Sequence, residues 1–371
     1  MKLLLTADTV GGVWTYAMEL CNALQTRGVR IALATMGRKL SAEQHRQVNR
    51  LRNVQLFESS YRLCWMPDPW DDVELAGAWL LSLADDFRPD VVHLNDLAHG
   101  GLDWQAPLLL VGHSCVLSWW EAVKKQPAPE NEWARYRSVV QKSVQRATMV
   151  AAPSSAMLTV LLRHYGPAQS SGVIYNGRNF PAPMSLSAKT SQTEEVIFAA
   201  GRIWDAAKNI KILSHVAGQL PWPVYVAGEQ KDATGDRTEV AGVHLLGFLE
   251  PDQLTGWLGR SAIFVAPALY EPFGLSILEA ARAGCALVLG DIPSLREIWG
   301  EAARYFDSGS PESLRRVLAG LIDNPRLLRQ MAEQAGRRAL LYTNRRMAAE
   351  YHRCYRLLVE TPGPTKGLTG A

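Results

Sequence analysis

The spacing of apolar residues along this chain predicts strands and helices in regular alternation. Short, almost continuous apolar runs indicate buried parallel strands, and apolar residues recurring every three to four positions indicate helices. In the first half, strands are predicted over Lys2–Asp8, Val29–Met36, Val54–Glu58, Asp90–Asn95, Pro107–His113, Met149–Ala152 and Gly172–Ile174, with helices over Val13–Arg27, Val73–Phe87, Asn131–Arg146 and Ser155–His164. The alternation is typical of an α/β fold with helices on both faces of a parallel sheet.

The same pattern starts again in the second half. Pro181 to Thr193 is rich in Pro, Ser, Ala and Thr without periodicity, and is interpreted as a linker. Strands are then predicted over Glu195–Ala200, Val224–Ala227, Val243–Gly247, Ala262–Ala266 and Ala286–Leu289, and helices over Asn209–Gln219, Pro251–Gly259, Leu275–Gly284, Pro311–Asp323, Pro325–Tyr342 and Arg345–Leu358. We therefore expect two doubly wound domains, over 1–180 and 194–343, and a disordered tail over 361–371.

Length and charge agree with this division and exclude one class of partner. A chain of 371 residues with 47% hydrophobic and 20% charged residues suits two ordinary globular domains. Up to position 180 it has 18 basic and 16 acidic residues, and beyond it 21 and 20. Since neither half is strongly basic, nothing indicates nucleic-acid binding.

The cysteines and the apolar runs bear on the compartment. Five scattered cysteines without C-x-x-C spacing predict a reducing compartment and no structural zinc. No apolar run reaches about 18 residues, and Met1-Lys2 leads directly into a strand without a signal-peptide cleavage site. A cytoplasmic protein is expected. Basic faces such as Arg326 to Arg338 leave peripheral contact with a membrane open.

The strongest candidate for chemistry is the stretch Ala268 to Val288, ALYEPFGLSILEAARAGCALV. A strand, a glycine-containing turn and a helix present free backbone N–H groups, which suit a phosphate. Glu271 in the loop and Glu279 on the helix supply carboxylates, which suit sugar hydroxyls. The chemistry predicts a nucleotide-sugar site about as well as it predicts an ordinary capped junction with a solvated glutamate.

Several motifs together resemble a known family. E-P-F-G-L-S-I-L-E is similar to the E-x7-E motif of the retaining glycosyltransferases of family 4, which have the GT-B fold. G-R-x5-K, from Gly201 to Lys208, resembles the family's diphosphate-binding motif, although Arg202 and Lys208 alone could be surface cations. Val173 to Gly177 resembles V-I-P-N-G, with Tyr175 in place of Pro. Ala286 also stands where the family usually has Pro.

The resemblance implies a fold and a set of roles. Two Rossmann-like domains would face a cleft, and the last helix, 344–360, would cross back to the N-terminal domain. Arg202 and Lys208 would clamp the leaving diphosphate, Glu271 would hold the donor sugar, and Glu279 the ribose. His113 at a strand end, counted as catalytic with the two cations and Glu271, would hold the sugar's distal hydroxyl or help to position the acceptor. The other expected donor contacts are the glycine turn Gly11 and Gly12, Asn176 at the domain junction, Gly228 with Glu229 at a strand end, Phe248 and Leu249 beside the base, and backbone amides of Phe273, Gly274, Leu275 and Ser276.

Other strand-end residues carry less weight. A bare Gly-Gly turn is explained by tight chain reversal about as often as by a ligand, and a lone histidine at a strand end is more often structural. Asn95, His99 and Ser114 follow predicted strands, and Asn176 could simply cap its turn.

No metal or cofactor is expected. The chain has no Asp-x-Asp pair, and no His/Cys/carboxylate cluster has ligand spacing. The nucleotide-diphospho-sugar would be a substrate, of UDP or GDP type. The resemblance implies front-side transfer with retention, in which the leaving phosphate oxygen takes the acceptor's proton.

The acceptor is not predicted beyond a carbohydrate, a glycolipid or a small molecule. Tyr61 to Asp72 and Val116 to Glu130 are expected to be acceptor loops. Their tryptophans, Trp65, Trp70, Trp119 and Trp120, suit stacking on sugar rings as well as they suit packing.

Three alternative functions remain at this point. A GT-B nucleotide-sugar epimerase would share the sheets but not the paired motifs. A non-catalytic nucleotide-sugar-binding subunit is disfavoured by the intact glutamates and cations. A dehydrogenase is disfavoured because G-x-G-x-x-G is absent. The sequence does not indicate an oligomeric state.

Overall fold

The chain divides into two compact units, each built around its own parallel sheet. The computed structural model describes residues 1–179, 193–231 and 235–360. The first unit comprises Met1–Trp120, Pro127–Gly177 and the described residues from Asn344; the second comprises Glu121–Gln126 and Arg178–Thr343. Apart from Thr193, the predicted linker lies outside the described residues, as does the predicted tail.

The first unit contains seven parallel strands in the order β3-β2-β1-β4-β5-β6-β7. Its strands are β1 (Lys2–Asp8), β2 (Arg30–Met36), β3 (Val54–Glu58), β4 (Val91–Leu94), β5 (Leu108–Val111), β6 (Met149–Ala152) and β7 (Ser171–Val173). Its helices are α1 (Gly12–Leu24), α2 (Ala42–Asn49), α3 (Trp70–Phe87), α4 (Val116–Lys124), α5 (Glu130–Arg146), α6 (Ser155–Tyr165) and, at the end of the chain, α12 (Asn344–Glu360). The order reverses between β1 and β4, where doubly wound sheets bind ligands.

The last helix is part of the first unit because it fills that unit's core. Tyr351 and Tyr355 are fully buried, and Asn344 Nδ2 donates to Glu19 Oε2 of α1 at 2.9 Å. Aromatic side chains of this size contribute most of their stabilisation through the apolar area that they bury.

The second unit contains six parallel strands in the order β10-β9-β8-β11-β12-β13. They are β8 (Glu194–Ala200), β9 (Val224–Ala227), β10 (His244–Gly247), β11 (Ser261–Ala266), β12 (Ala286–Gly290) and β13 (Arg304–Phe306). Its helices are α7 (Pro251–Arg260), α8 (Leu275–Arg282), α9 (Pro293–Trp299), α10 (Pro311–Ile322) and α11 (Pro325–Ala339).

The central strands of this second sheet are buried on both faces. Ile263 and Val265 belong to the apolar core on one side, and Phe264 between them belongs to the core on the other side. This arrangement explains why β11 is a continuous apolar run in the sequence, without polar alternation.

One predicted helix is wrong. The stretch 209–219 forms short 3₁₀ turns, Ile210–His215 and Ala217–Gln219, after a first turn at Ala206–Lys208. The cause is Asn209, which adopts a left-handed conformation with φ 53°. Its side-chain amide donates to the carbonyl of Pro267 at 3.0 Å and to that of Ser308 at 2.9 Å. These tertiary bonds outweigh the apolar periodicity.

Some elements were not predicted. The pattern gave no element at α2, α9 and β13, and it placed α4 in a loop. Helix α2 begins with a capping box in which Ser41 and Gln44 bond each other's backbone N–H. These elements have nine residues or fewer, so their periodicity is too short to identify them.

The cysteines form no disulfide. All five are buried in the interior of the units.

Candidate active site

Two strand-end segments of the second unit are tied together. Strands β8 and β11 are parallel neighbours, so the turn after Ala200 and the loop after Ala266 meet at one edge of the sheet. The backbone N–H groups of Leu269 and Tyr270 donate to the carbonyl of Ala207 at 2.8 and 3.4 Å. The Asn209 amide adds a further bond to the loop. The segment carrying G-R-x5-K is therefore fixed against the segment carrying Glu271.

The structure brings Lys208 and Glu271 together. Lys208 Nζ lies 2.5 Å from Glu271 Oε2, and the two side chains are 25% and 15% exposed. A shallow recess beside them is lined by Lys208, Glu271 and Ser276 among apolar residues of the strand ends. The carbonyl of Glu271 accepts a hydrogen bond from Ser294 Oγ at 2.6 Å. Glu271 is thus held through both its backbone carbonyl and its side-chain carboxylate.

Arg202 has a different partner. Its guanidinium pairs with Asp205 at 2.7 Å and lies over the ring of Trp204, 5.1 Å from the centroid. Asp205 also accepts a hydrogen bond from the N–H of Ala207, at the start of the 3₁₀ turn. Arg202 therefore shares the turn with Lys208, but its charge is neutralised by its own segment.

Helix α8 presents its N-terminus at the same edge. The first amides of a helix have no partner within it, and those of Leu275 and Ser276 open this one. Gly274 precedes them in the left-handed region with φ 88°, and a Cβ there would lie 2.6 Å from Cδ1 of Ile277. Glycine is required at this turn. The side chain of Phe273 is buried against Tyr342, with ring centroids 5.5 Å apart, which leaves its backbone as the available group.

Glu279 has a cationic partner that the sequence did not reveal. Arg178 lies 2.6 Å from Glu279 Oε1, and both side chains are largely buried. Burial raises the pKa of Glu279, and the charge of Arg178 opposes that rise. Arg178 directly follows V-I-Y-N-G, so its position beside a predicted motif was the available signal.

Gly228, Phe248 and Leu249 differ in their surroundings. A Cβ on Gly228 would lie 1.8 Å from the carbonyl oxygen of Gly201, so close backbone packing is enough to require this glycine. Phe248 is 65% exposed, whereas Leu249 packs against the core. The backbone of Glu229 accepts a hydrogen bond from Ile203 at 2.9 Å.

In the first unit, the glycine turn opens helix α1. Gly11 has φ 102° and ψ −150°, a conformation that other residues rarely adopt, and Gly12 is the first helical residue. Asp8 Oδ1 accepts from the N–H of Val10 at 2.6 Å. The turn is preorganised by its own segment.

His113 is bonded to Asn95 at the neighbouring strand end. Its Nε2 lies 2.9 Å from Asn95 Oδ1, and its ring packs edge-on to Tyr16 with centroids 4.3 Å apart. Burial lowers the pKa of His113 to about 3. The imidazole is therefore neutral at physiological pH.

His99 and Asn176 also follow strands, but neither is bonded to His113 or Asn95. His99 is buried, with Nδ1 2.6 Å from Asp96 and Nε2 3.0 Å from the carbonyl of Val73, contacts typical of a structural histidine. Asn176 is 6% exposed, and its Oδ1 is buried without a hydrogen-bond partner among the described residues. Most buried side-chain acceptors in folded proteins have a partner, so this oxygen is an exception.

The four tryptophans of the two predicted acceptor loops differ in their surroundings. Trp70 packs under the guanidinium of Arg135, which lies 4.5 Å from its ring centroid. The rings of Trp119 and Trp120 pack edge-on, with centroids 6.0 Å apart. Trp65 is 40% exposed.

Comparison with protein families decides what kind of chain this is. A model of Glycosyltransferase Family 4 matches residues 10–180, and a model of Glycosyl transferases group 1 matches residues 187–338. This chain belongs to glycosyltransferase family 4. The predicted family is confirmed, and the two models together span most of the chain.

A curated relative of this family 4 chain is the serotype-specific mannosyltransferase WbdA of Escherichia coli. The two are 30% identical over 166 residues, which make up 41% of this chain and 20% of WbdA. The match thus spans about a fifth of the relative's length.

Solved structures confirm the predicted GT-B fold, which consists of two Rossmann-like domains. Sucrose-phosphate synthase of Thermosynechococcus elongatus is 18% identical, with a TM-score of 0.76, and the alignment covers 96% of this chain and 99% of that one. HepE of Anabaena, solved with UDP and glucose, is 17% identical with a TM-score of 0.73, covering 96% and 100%. At these identities, the likeness concerns the fold.

The described residues form neither a membrane-spanning helix nor a cluster of metal ligands. Among the helices of residues 1–179, 193–231 and 235–360, none is both long and apolar enough to span a membrane. Within the same ranges, no group of three or more His, Cys, Asp or Glu side chains converges as metal ligands would.

Proposed function

We propose that this family 4 chain transfers a sugar from a nucleotide-diphospho-sugar to an acceptor hydroxyl with retention of anomeric configuration. The observation that carries the proposal is the pairing of each glutamate of the E-x7-E motif with a cation. Lys208 pairs with Glu271, and Arg178 pairs with Glu279. Both pairs lie in the second unit, and the first lies beside the N-terminus of α8.

This pairing suits a ligand that carries negative charge at one part and hydroxyls at another. The diphosphate would be met by Lys208, Arg202 and the first amides of α8, since cations and free amides both favour phosphate oxygens. Glu271 would accept hydrogen bonds from sugar hydroxyls, and Glu279 from the ribose. In the structure Lys208 contacts Glu271, so donor binding would exchange that contact for phosphate.

The reaction balances without a covalent intermediate on the protein. The bond between the anomeric carbon and the phosphate oxygen breaks, and a bond from the same face to the acceptor oxygen forms. The acceptor's proton moves to the leaving phosphate oxygen. The protein's part is to stabilise the charge that develops on the diphosphate. We propose that the cations and amides do so without a divalent ion.

Residues of the first unit would complete donor binding. We propose that Gly11 and Gly12 approach the donor through their backbone, and that His113 contacts a hydroxyl. Asn176 Oδ1 would accept a hydrogen bond from a donor group. Phe248 and Leu249 would flank the base, with exposed Phe248 the best suited to stack on it. Gly228 would contact the donor from a neighbouring strand end.

Nucleotide release from a panel of UDP- and GDP-sugars tests the proposal. The purified protein is assayed with carbohydrate and glycolipid acceptors, with and without EDTA, and the product's anomeric configuration is read by NMR. We expect one donor to release nucleotide in the presence of EDTA and to give a retained product. Epimerisation without nucleotide release, an inverted product, or a strict magnesium or manganese requirement would each contradict part of the proposal.

A further inference from the structure

Four side chains of the first unit form a continuous hydrogen-bonded path that ends at His113. Tyr355 Oη of α12 lies 2.7 Å from His93 Nδ1. His93 Nε2 lies 3.2 Å from Asn95 Oδ1, and the same oxygen lies 2.9 Å from His113 Nε2. The path joins the last helix to the ends of β4 and β5.

The direction of each hydrogen bond follows from one carbonyl group. Asn95 Nδ2 lies 2.7 Å from the backbone oxygen of Thr6, which can only accept. The amide nitrogen of Asn95 must therefore face Thr6, and its oxygen faces the two rings. Both Nε2 atoms then carry the hydrogen and donate to that oxygen.

A neutral imidazole with its hydrogen on Nε2 has a lone pair on Nδ1. In His93 that lone pair accepts from the hydroxyl of Tyr355. In His113 the corresponding Nδ1 has no hydrogen-bond partner among residues 1–179, 193–231 and 235–360. The path thus leaves one acceptor at its end.

The surroundings keep this path uncharged. Burial, together with the neighbouring His113, lowers the pKa of His93 to about 3. Burial likewise raises the pKa of the nearby tyrosine hydroxyls and of the Cys21 thiol. The titratable groups near the path are Tyr16, Glu19, Cys21, His93, Asp96, Tyr351, Cys354 and Tyr355; the other titratable side chains of α12 are exposed or half-buried at its surface. Of the two carboxylates, Asp96 is bonded to His99 and Glu19 to Asn344.

We propose that Asn95, His93 and Tyr355 are positioning residues that hold His113 as the neutral Nε2–H tautomer, so that Nδ1 accepts a hydrogen bond from a substrate hydroxyl. The proposal rests on the proposed function, in which His113 contacts a sugar. It adds a specificity: a hydroxyl can donate to Nδ1, whereas a carboxylate would bring a second acceptor against it.

Ring-nitrogen NMR of the ¹⁵N-histidine-labelled protein tests the tautomer without any substrate. We expect His113 and His93 to show the neutral Nε2–H pattern between about pH 6 and 8, because their pKa values lie far below this range. His113→Gln assigns one signal. A His113 imidazolium or an Nδ1–H tautomer in that range would overturn the proposal, even if the protein proved to be a transferase.

Tyr355→Phe and Tyr351→Phe form a matched pair on the same helix. Only the first removes the hydroxyl that bonds His93 Nδ1. We expect the ¹⁵N shift of that nitrogen to move toward the value of an unbonded lone pair in Tyr355→Phe and to stay in place in Tyr351→Phe. Equal shifts in the two variants would contradict the assigned direction.

The pH profile of Asn95→Asp separates positioning from a structural role. A carboxylate in place of the amide favours the charged imidazolium and raises the pKa of His113, by about 1 to 3 units for a close opposite charge. A protonated Nδ1 cannot accept a hydrogen bond, so kcat/KM should fall at acidic pH. In Asn95→Asp this fall should begin at a pH at least one unit higher than in the wild type. A uniform loss at every pH would contradict the positioning role. If no donor is turned over at all, the proposed function fails, and the NMR result still decides the tautomer.

Discussion

The polar groups near the strand ends are neutral in the first unit and charged in the second. In the first unit, the path from Tyr355 to His113 is neutral and held by directional hydrogen bonds. In the second, Lys208–Glu271 and Arg178–Glu279 are ion pairs. A neutral path can fix the direction of a single hydrogen bond, whereas charged groups can compensate a charge that appears during a reaction. Substitutions, pH and salt should therefore act differently on the two units.

The largest expected effect concerns a buried ion pair of the first unit that lies outside the neutral path. Removing one partner of such a pair costs about 3–5 kcal/mol of unfolding free energy, because the other charge stays buried. Asp96→Asn would leave His99 either charged without its partner or forced to give up its proton, and denaturant unfolding at pH 5.5 measures the loss. A loss below about 1 kcal/mol would show that this pair contributes little.

The same pair should give stability a defined pH window. Burial would raise the pKa of Asp96, but the bonds from His99 outweigh it and hold that pKa below its usual range. Burial likewise works against the charge on His99, but Asp96 raises its pKa. The contribution is fully present between the ordinary values of about 3.9 and 6.5. It is lost as pH falls through the folded pKa of Asp96, or rises through that of His99.

Lys208→Ala should have the next largest effect, on turnover in the second unit. If Lys208 meets the charge of the leaving diphosphate, kcat should fall by about two orders of magnitude or more. The control is Lys211→Ala, an exposed lysine on the following turn, which should keep wild-type turnover. Unchanged kcat in Lys208→Ala would remove the lysine from the proposed mechanism.

Arg178→Met should act mainly on donor binding. The variant leaves Glu279 without its paired cation, so we expect donor KM to rise about tenfold, or roughly 1.4 kcal/mol, with kcat little changed. Arg304→Met, an exposed arginine on β13, is the control. In a double-mutant cycle, Arg178→Met and Glu279→Gln together should lose less than the sum of their separate effects. Additive losses would mean that the ion pair has no part in binding.

A change in ionic strength should have the smallest effect on donor KM, and it compares the charged groups of the second unit directly with the neutral groups of the first. Salt screens partly exposed charges, with a Debye length of about 10 Å at 0.1 M, so donor KM should rise a few-fold between low and high salt. The ratio of wild-type to His113→Gln activity should stay constant over the same range, because the contact it loses is neutral. A salt-dependent ratio would contradict the neutral character of the His113 site.

The sequence predicted best what depends on local pattern and continuous motif. Strand β6 was predicted with its observed bounds, and β11 to within one residue, because buried parallel strands are apolar throughout. The family and the GT-B fold were confirmed by the comparisons. Lys208 and Glu271 were both named beforehand, although the roles given to them stay predictions.

What the sequence did not predict depends on contacts between distant residues. Asn209 turns a helical pattern into 3₁₀ turns through bonds to carbonyls 58 and 99 residues away. The contact between His93 and Tyr355 spans 262 residues. Arg178 follows a recognised motif, yet nothing in its neighbours indicates that it would meet Glu279. Periodicity and spacing describe single segments, so pairings of this kind become visible only in the fold.

The place of α12 in the first unit has a consequence for co-translational folding. Domains generally fold in the order in which they are synthesised, but here the first sheet is made early while two of its core tyrosines come last. Until Tyr351 and Tyr355 emerge, the surface beside His93 lacks the rings that cover it. Because the second unit is synthesised before α12, it can finish folding before the first unit does.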